Sequence, residues 1–502
     1  MKTCLRLNLT VFTIVVALFG FGCKPSQESA GHPIIVIYPS PGDLSDVEGL
    51  EESPLFDLSV DGTDTFVYRG YEEEFNKYGF AKKGGAYVDF AFEGGPITVD
   101  IRTTQAMKGY SVKPTLEAVE QVSPTHLRVT LDKPQKFLVT ADFEELGENW
   151  FVVAADAPDA EIDPDDPTVL YLGPGVHYYG KAWDPFVEGK KTLYVAGGAV
   201  VQATIHCVGK DGVSIKGPGL FSQAFRPHAR REPGFDLQCE WFGECMGMYF
   251  RDCKNLTFEG YSLINCPSYQ LEVANCDNVT IRNVKLLGFG ENNNDGVHMY
   301  SRDVLMEDCF IAGNDDRVCI TGLYDSEDRE VKVIEDQQKR ITDTHVGNLT
   351  IRDTIFWGQK NGGDIMLSWN GGKTLDSVLI ENIQSLGKTN KGFLAARHGG
   401  SVLIHDVTIR NVHLYHTVLC SLEVLDARTW GAGGGAIRDI TVENVTIDAD
   451  PKEIKKLMTG WSEESSISNI VFKNLRANGQ KITSLAQTGI ETNEFVKGVR
   501  FE

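Results

Sequence analysis

Two short phrases of this 502-residue chain hold residues whose types and spacing could do chemistry. The first is Asn292-Asn293-Asn294-Asp295-Gly296-Val297-His298-Met299-Tyr300; the second is Gly313-Asn314-Asp315-Asp316-Arg317. Asp295 precedes Asp315 by 20 residues, about one coil of the repeat that surrounds them. Positions one coil apart lie on neighbouring rungs of one face, so the three carboxylates are expected in one patch on the outer wall. Such a set suits cleavage of a glycosidic bond with inversion. One protonated carboxyl gives its proton to the leaving oxygen, and a carboxylate on the far side of the sugar activates water. The two groups then stand ~6.5–9.5 Å apart, a gap that one rung plus side-chain reach can span. Crowded carboxylates also raise the pKa of one member, which supplies the acid. Asn-Asp-Gly is an ordinary turn sequence, and clustered carboxylates can hold calcium. The one-coil offset of Asp295 favours catalysis over a turn, and His298 and Arg317 beside the cluster count against a cation.

The elements that must position these residues are repetitive. The phrase "Asn/Asp, apolar, Thr, apolar, charged, Asn/Asp" occurs at Asn278–Asn283, Asn348–Asp353, Asp406–Asn411 and Asp439–Asn444, with weaker copies starting at Asn255, Asp303, Ser377 and Asn469. The starts step by 23, 25, 45, 29, 29, 33 and 30 residues, where 45 is two coils or one coil with a long insertion. A repeat of this size made of short strands, with no helical stretch between copies, is the signature of a solenoid. It predicts a right-handed parallel β-helix over 168–502, with coils stacked at the strand spacing of ~4.8 Å. Upstream, runs such as Ile34–Tyr38, Tyr87–Phe92 and His126–Leu131 alternate and are separated by turn residues, which predicts an antiparallel β-sandwich over 31–156. The Pro- and Asp-rich stretch 157–167 reads as a linker. The fold class is therefore all-β. The 51 Gly against 19 Pro, and ordinary values of 42% hydrophobic and 24% charged residues, agree with a turn-rich globular protein. With 70 acidic and 48 basic residues the net charge is −22, which repels nucleic acid and anionic lipid.

The first residues read as a targeting segment: Lys2 and Arg6, an apolar run from Leu7 to Gly22, then Cys23 and an abrupt polar turn. This predicts export with a signal peptide over 1–22. A lipid anchor at Cys23 would be the only link to a membrane, in an outer-membrane, cell-surface or periplasmic setting. Of 11 Cys, Cys239 and Cys245 flank a short loop and could pair, whereas Cys253, Cys266, Cys276, Cys309 and Cys319 fall in strand-like runs and read as small buried hydrophobes. No Cys/His spacing looks like a zinc site, so no metal and no cofactor are expected.

The two aspartate phrases resemble those of known enzymes. Polygalacturonase-type β-helix hydrolases carry Asn-Thr-Asp and, about one coil later, Gly-Asp-Asp. The resemblance is closer to glycoside hydrolase family 49, the dextranase and isopullulanase family, whose pattern is Thr-Asp-Gly-Ile-Glu-Met-Tyr followed by Asn-Asp-Asp. Here Asp295–Tyr300 and Asn314-Asp315-Asp316 match it, with Asn294 in place of Thr and His298 in place of Glu. Thr354–Trp357, Asn361–Trp369 and Asn474–Thr483 are similar to further stretches of that family. The resemblance implies a sandwich followed by a β-helix, Asp315 as general acid, and Asp295 and Asp316 holding and deprotonating the water. The Gly-His-Gly and Arg-Ile-Lys motifs of the polygalacturonases are missing, which argues against their uronate site. Arg317 stands where that family has a small residue and Cys319 where it has Lys.

For the groove, the candidates for substrate contact are His298, Arg317, Asn361, Trp369, Arg397 and His398. Arg226, Arg230, Arg231, Arg317 and Arg397 together would suit an anionic polymer, since guanidinium binds sulfate or carboxylate through two hydrogen bonds. The expected partner is thus a polysaccharide, either a dextran- or pullulan-type glucan or a sulfated arabinan-like polymer. A polysaccharide lyase and a non-catalytic glycan-binding lipoprotein are the competing classes.

Overall fold

The computed structural model describes residues 32–45, 47, 49–70, 85–160, 162–223, 246–266, 268–288, 294–320, 345–358, 361–368, 374–387, 389–398, 402–415, 419–425 and 434–502. The recurring phrase forms coils because both of its ends turn corners. Asn255, Asn278, Asp303, Asn348, Ser377, Asp406, Asp439 and Asn469 all sit at φ between 53° and 57°, in the left-handed region. The far ends, Asn283, Asp308, Asp353, Asn382, Asn411, Asn444 and Asn474, do the same at 51° to 57°. Among residues with a Cβ, Asn and Asp tolerate that conformation best. Their side chains then bond from rung to rung: Asn278 Nδ2 donates to Asn255 Oδ1 at 2.7 Å, Asn411 to Asn382 at 3.1 Å and Asn474 to Asn444 at 2.9 Å.

Between the corners, the apolar positions point inward. Leu256, Val279, Val304, Leu349, Val378, Val407, Ile440 and Ile470 pair in one continuous parallel ladder and are buried in the solenoid core. The charged position of the phrase makes a ladder on the outside, with Glu307 accepting from both Arg282 and Arg352 and Glu381 accepting from Arg410. Direct pairing of Val304 with Leu349 makes the 45-residue step one coil with an insertion rather than two coils. In all, 29 described strands from Val169 to Phe501 join into one coiled sheet, parallel except where Gln480–Lys481 folds back on Ile467–Ala477. The chain is an all-β protein with a parallel β-helix.

The residues before the solenoid form two stacked sheets. One has six strands in the order Ile34–Ile37, Gly85–Glu93, Gly147–Asp156, Gln135–Phe143, Met107–Lys113, with Tyr68–Gly70 also on Gly85–Glu93. The other has five, in the order Thr63–Asp64, Phe56–Val60, Ile97–Thr103, His126–Leu131, Val119–Ser123. Pairing is antiparallel apart from Gly147–Asp156, which runs parallel to Gly85–Glu93. Phe56, Phe90, Phe137 and Phe151 fill the space between the sheets. The six-stranded sheet is apolar on its other face too, as Phe151-Val152-Val153-Ala154-Ala155 shows, because that face packs on the solenoid. Tyr87, Leu138, Trp150 and Val152 meet Val200, Ile264, Leu287, Phe310 and Trp357 there, with the Trp150 and Trp357 rings 5.4 Å apart.

A buried ion network closes this interface. Lys285 Nζ, fully buried, lies 2.7 Å from Asp156 Oδ2 and 3.1 Å from Asp89 Oδ2. Lys136 Nζ reaches Asp156 Oδ1 at 3.1 Å and Asp308 Oδ1 at 2.9 Å. Burial pushes the Asp89 carboxyl up to about 7, against the pull of Lys285. A carboxyl raised in the fold stabilises it most below the usual 3.8 and loses that contribution as pH rises through about 7. Replacing Lys285 by Met leaves Asp89 and Asp156 without that cation and should cost about 3–5 kcal/mol. Urea unfolding should show a lower midpoint for Lys285→Met, and its stability should fall more steeply than that of the wild type between pH 5 and 8.

Candidate active site

The three aspartates converge because their strands are in register. His298 pairs with Cys319, one rung on, and Cys319 pairs with Met366 on the next. Counting back along the same strands sets Asp295 beside Asp316, not Asp315, and the Gly363 N–H from the third rung donates to Asp316 Oδ1 at 2.6 Å. Asp316 is 1% exposed and Asp295 5%, while the Asp315 side chain is the most open of the three at 13%. Lys391, from the rung after, ties the pair together: its Nζ lies 3.1 Å from Asp316 Oδ1 and 3.5 Å from Asp315 Oδ1. Burial opposes the charge on Lys391, but Asp316, Asp315 and Asp295 together outweigh it and hold the ammonium protonated. All three carboxylates therefore act on one cation. Asn361 Nδ2 donates to Asp315 Oδ2 at 3.1 Å, and Asn390 Nδ2 donates to Asn361 Oδ1 at 2.7 Å. Asn361 thus orients Asp315.

Behind Asp295 stands a buried polar row. His298 Nε2 is 2.9 Å from Asp295 Oδ2, its Nδ1 bonds the Tyr300 hydroxyl, and its ring stacks on Tyr269 with centroids 3.9 Å apart. His298 is 3% exposed and bonds Asp295, so its side chain is covered rather than open to a groove. Burial disfavours its imidazolium, yet the hydrogen bond and charge of Asp295 win and raise its pKa. Glu272 sits in register beneath it, and burial pushes that carboxyl up to about 7. Cys319 is buried as expected, packed with Met366 and Ala395 apart from the main solenoid core. Its Sγ lies 3.6 Å from Asp295 Oδ2 and 3.8 Å from Asp316 Oδ2. Cys253, Cys266, Cys276 and Cys309 are buried, unpaired and inside the core.

Arg317 and His398 need correction as substrate contacts. Arg317 is 0% exposed. Its Nε donates to Asp364 Oδ1 at 3.1 Å, and its Nη1 donates to the carbonyls of Asp315 at 2.6 Å and Asn361 at 3.0 Å. The guanidinium is a strut under the loop that carries the aspartates, and Gly358 leaves the space for it: a Cβ there would stand 2.4 Å from Nη1. His398 is likewise 0% exposed, bonded to Ser368 Oγ at 3.0 Å and to the Val402 carbonyl at 2.8 Å. A carbonyl only accepts, so Nε2 carries the proton, Nδ1 accepts from Ser368, and burial lowers the pKa to about 4. Arg397 stands on the same strand with its side chain 40% exposed, 3.8 Å from Glu423. Tyr300 is buried at 5% and serves His298. Trp369, Arg226, Arg230, Arg231, Cys239, Cys245 and the Cys23 segment lie outside the described residues. Lys391, Asn390, Glu272 and the half-buried Tyr269 were missed from sequence, since none belongs to a repeated phrase.

The stretch that carries the aspartates is similar to known proteins. The family model "Glycosyl hydrolases family 28" matches residues 238–338, the stretch that holds all three aspartates. An exopolygalacturonase of Arabidopsis thaliana (clone GBGE184) is 24% identical over 247 residues, covering 47% of this chain and 53% of its own length. A probable rhamnogalacturonase B of Aspergillus terreus is 23% identical over 267 residues, covering 48% of each. These likenesses support the superfamily of the polygalacturonase-type β-helix proteins. The chain spans about half the length of the curated relatives it matches. Among solved structures, Dex49A from Penicillium minioluteum shares the fold across 91% of this chain and 96% of its own, with a TM-score of 0.59 at 13% identity.

The strut role of Arg317 is open to a direct check. Arg317→Met leaves Asp364 buried without its cation and should lower stability by about 3–5 kcal/mol, read as a lower urea midpoint. The ratio of rates on neutral and anionic polymers should stay as in the wild type. A changed ratio at unchanged stability would make Arg317 a reader of substrate after all.

Proposed function

We propose that this chain is an exported glycoside hydrolase that cleaves a polysaccharide with inversion of the anomeric centre. The observation that carries the reading is the single cluster of Asp295, Asp315 and Asp316 around Lys391. Their environments divide the labour. Asp315 is the most open and is oriented by Asn361, which suits the acid that must reach the leaving oxygen. Asp316 accepts from the Gly363 N–H and from Lys391, which gives it a fixed place suited to holding the water. Asp295 has one oxygen on His298, while its buried Oδ1 has no protein partner and can take the proton of the attacking water. The match to family 28 over residues 238–338 supports the same reaction class. Membership of family 49 stays part of this proposal, supported by the motif likeness. The basic and apolar start of the chain, ending at Cys23, supports export and a lipid anchor.

Two substrate classes follow from separate observations. The names of the curated relatives favour a uronate-bearing polymer. Burial of Arg317 and the missing Gly-His-Gly and Arg-Ile-Lys motifs favour a neutral glucan of the dextran or pullulan type. A lyase would need a basic group poised to abstract a proton, whereas Lys391 is held protonated by the aspartates.

The test is release of reducing ends from dextran, pullulan, polygalacturonate, rhamnogalacturonan and a sulfated arabinan, with Asp315→Asn alongside. The wild type should cut one class. The variant should lose at least about a hundredfold in rate at unchanged melting behaviour, because an amide cannot donate the proton. A variant that keeps more than a hundredth of the rate removes Asp315 from the acid's role.

A further inference from the structure

We propose that Asp295, His298 and Cys319 form a binding site for one thiophilic divalent cation of the zinc class. Sequence spacing hides the set, since two members are three residues apart and the third is on the next coil. The register of Val297–Glu307 with Val318–Cys319 brings His298 and Cys319 side by side. One donor atom from each residue then lies within 4.8 Å of the others. Zinc bonds of ~2.3 Å to sulfur and ~2.0–2.2 Å to nitrogen and oxygen, in a tetrahedron, require ligand separations of about 3.6 Å for S···O and about 3.4 Å for N···O. The observed distances are 3.6 Å from Cys319 Sγ to Asp295 Oδ2 and 2.9 Å from His298 Nε2 to the same oxygen. Sulfur and carboxylate already stand at the required separation, and the imidazole must retreat by a few tenths of an ångström.

Three further features fit a cation there. Asp295 Oδ1 is buried without a protein partner, so the carboxylate has spare acceptor capacity at this spot. His298 is anchored through Nδ1 by the Tyr300 hydroxyl, the kind of support by which metal-binding histidines fix the ligating nitrogen. Asp316 Oδ2 lies 3.8 Å from the sulfur and 3.3 Å from the Lys391 ammonium, so it is a fourth donor within reach once it turns from Lys391. A thiolate, an imidazole and carboxylates select zinc-like ions over magnesium or calcium, which ask for all-oxygen shells. On binding, the thiol proton and the proton shared by His298 and Asp295 leave to solvent. The ion would also take up the Asp295 lone pairs that the hydrolytic water needs, so zinc should silence cleavage; that consequence alone rests on the hydrolase reading above.

Zinc chloride titrated into the metal-free, full-length protein against a chromophoric chelator should show one tight equivalent per chain. Cys319→Ala and His298→Gln should each weaken it at least tenfold. Cobalt(II) in its place should give a thiolate-to-metal charge-transfer band that Cys319→Ala abolishes, which separates ligation from a folding defect. Millimolar calcium or magnesium should not displace the zinc. Failure to retain zinc against the chelator, equal affinity in both variants, or displacement by calcium overturns the site. If zinc binds as stated but the protein cuts no polymer with or without it, the hydrolase reading fails and the site stands.

Discussion

Everything in the structure depends on the coils being held in register. Parallel strands stacked at ~4.8 Å bring residues far apart in sequence into contact, but only if each coil begins and ends at the same height as the last. The left-handed corners fix that height. Asn and Asp accept the strained φ, and their amides bond to the same position on the neighbouring coil. Slipping one coil by one residue would swap its inward Val and Ile for the outward Thr and charged positions, and would break both ladders at once. That penalty explains how the solenoid admits the extra residues of the 45-residue step without losing the pairing of Val304 with Leu349.

The site is the local product of that register. Asp295, Asp316 and Gly363 meet across three rungs, and Lys391 arrives from a fourth. Beneath them the chain spends a fully buried ion pair, Arg317 with Asp364, on holding the loop that presents Asp315. The sandwich uses a similar device: Lys285 and Lys136 of the solenoid and sheet share Asp156 at a buried interface. In both places, charge is buried where backbone or domain geometry must be unique. The apolar contacts around Trp150 and Trp357 are less directional and would tolerate small shifts.

The fold was legible in the sequence because its rule is local. The corner needs Asn or Asp, the core needs an apolar residue on either side of Thr, and both recur with the coil length. The aspartates were legible for the same reason, since one coil separates them. What stayed hidden depends on partners in other coils. Arg317 reads as a groove cation until Asp364, 47 residues later, is known to lie beneath it. His298 and His398 look like groove residues, because alternation alone does not reveal which outward positions are covered over. Lys391 lies 75 residues from Asp316 and has no repeat to flag it. Cys319 is the buried small residue its surroundings suggest, but the carboxylates beside its sulfur come from another phrase and another coil.

In the proposed reaction the clustered aspartates work as an acid and a water-activating base on opposite sides of one sugar. Proton NMR of the first sugar released, recorded before mutarotation equilibrates it, tests this most directly. Attack of water from the face opposite the leaving group gives a product of inverted anomeric configuration. A product that retains its configuration, or one bearing an unsaturated ring, would contradict it.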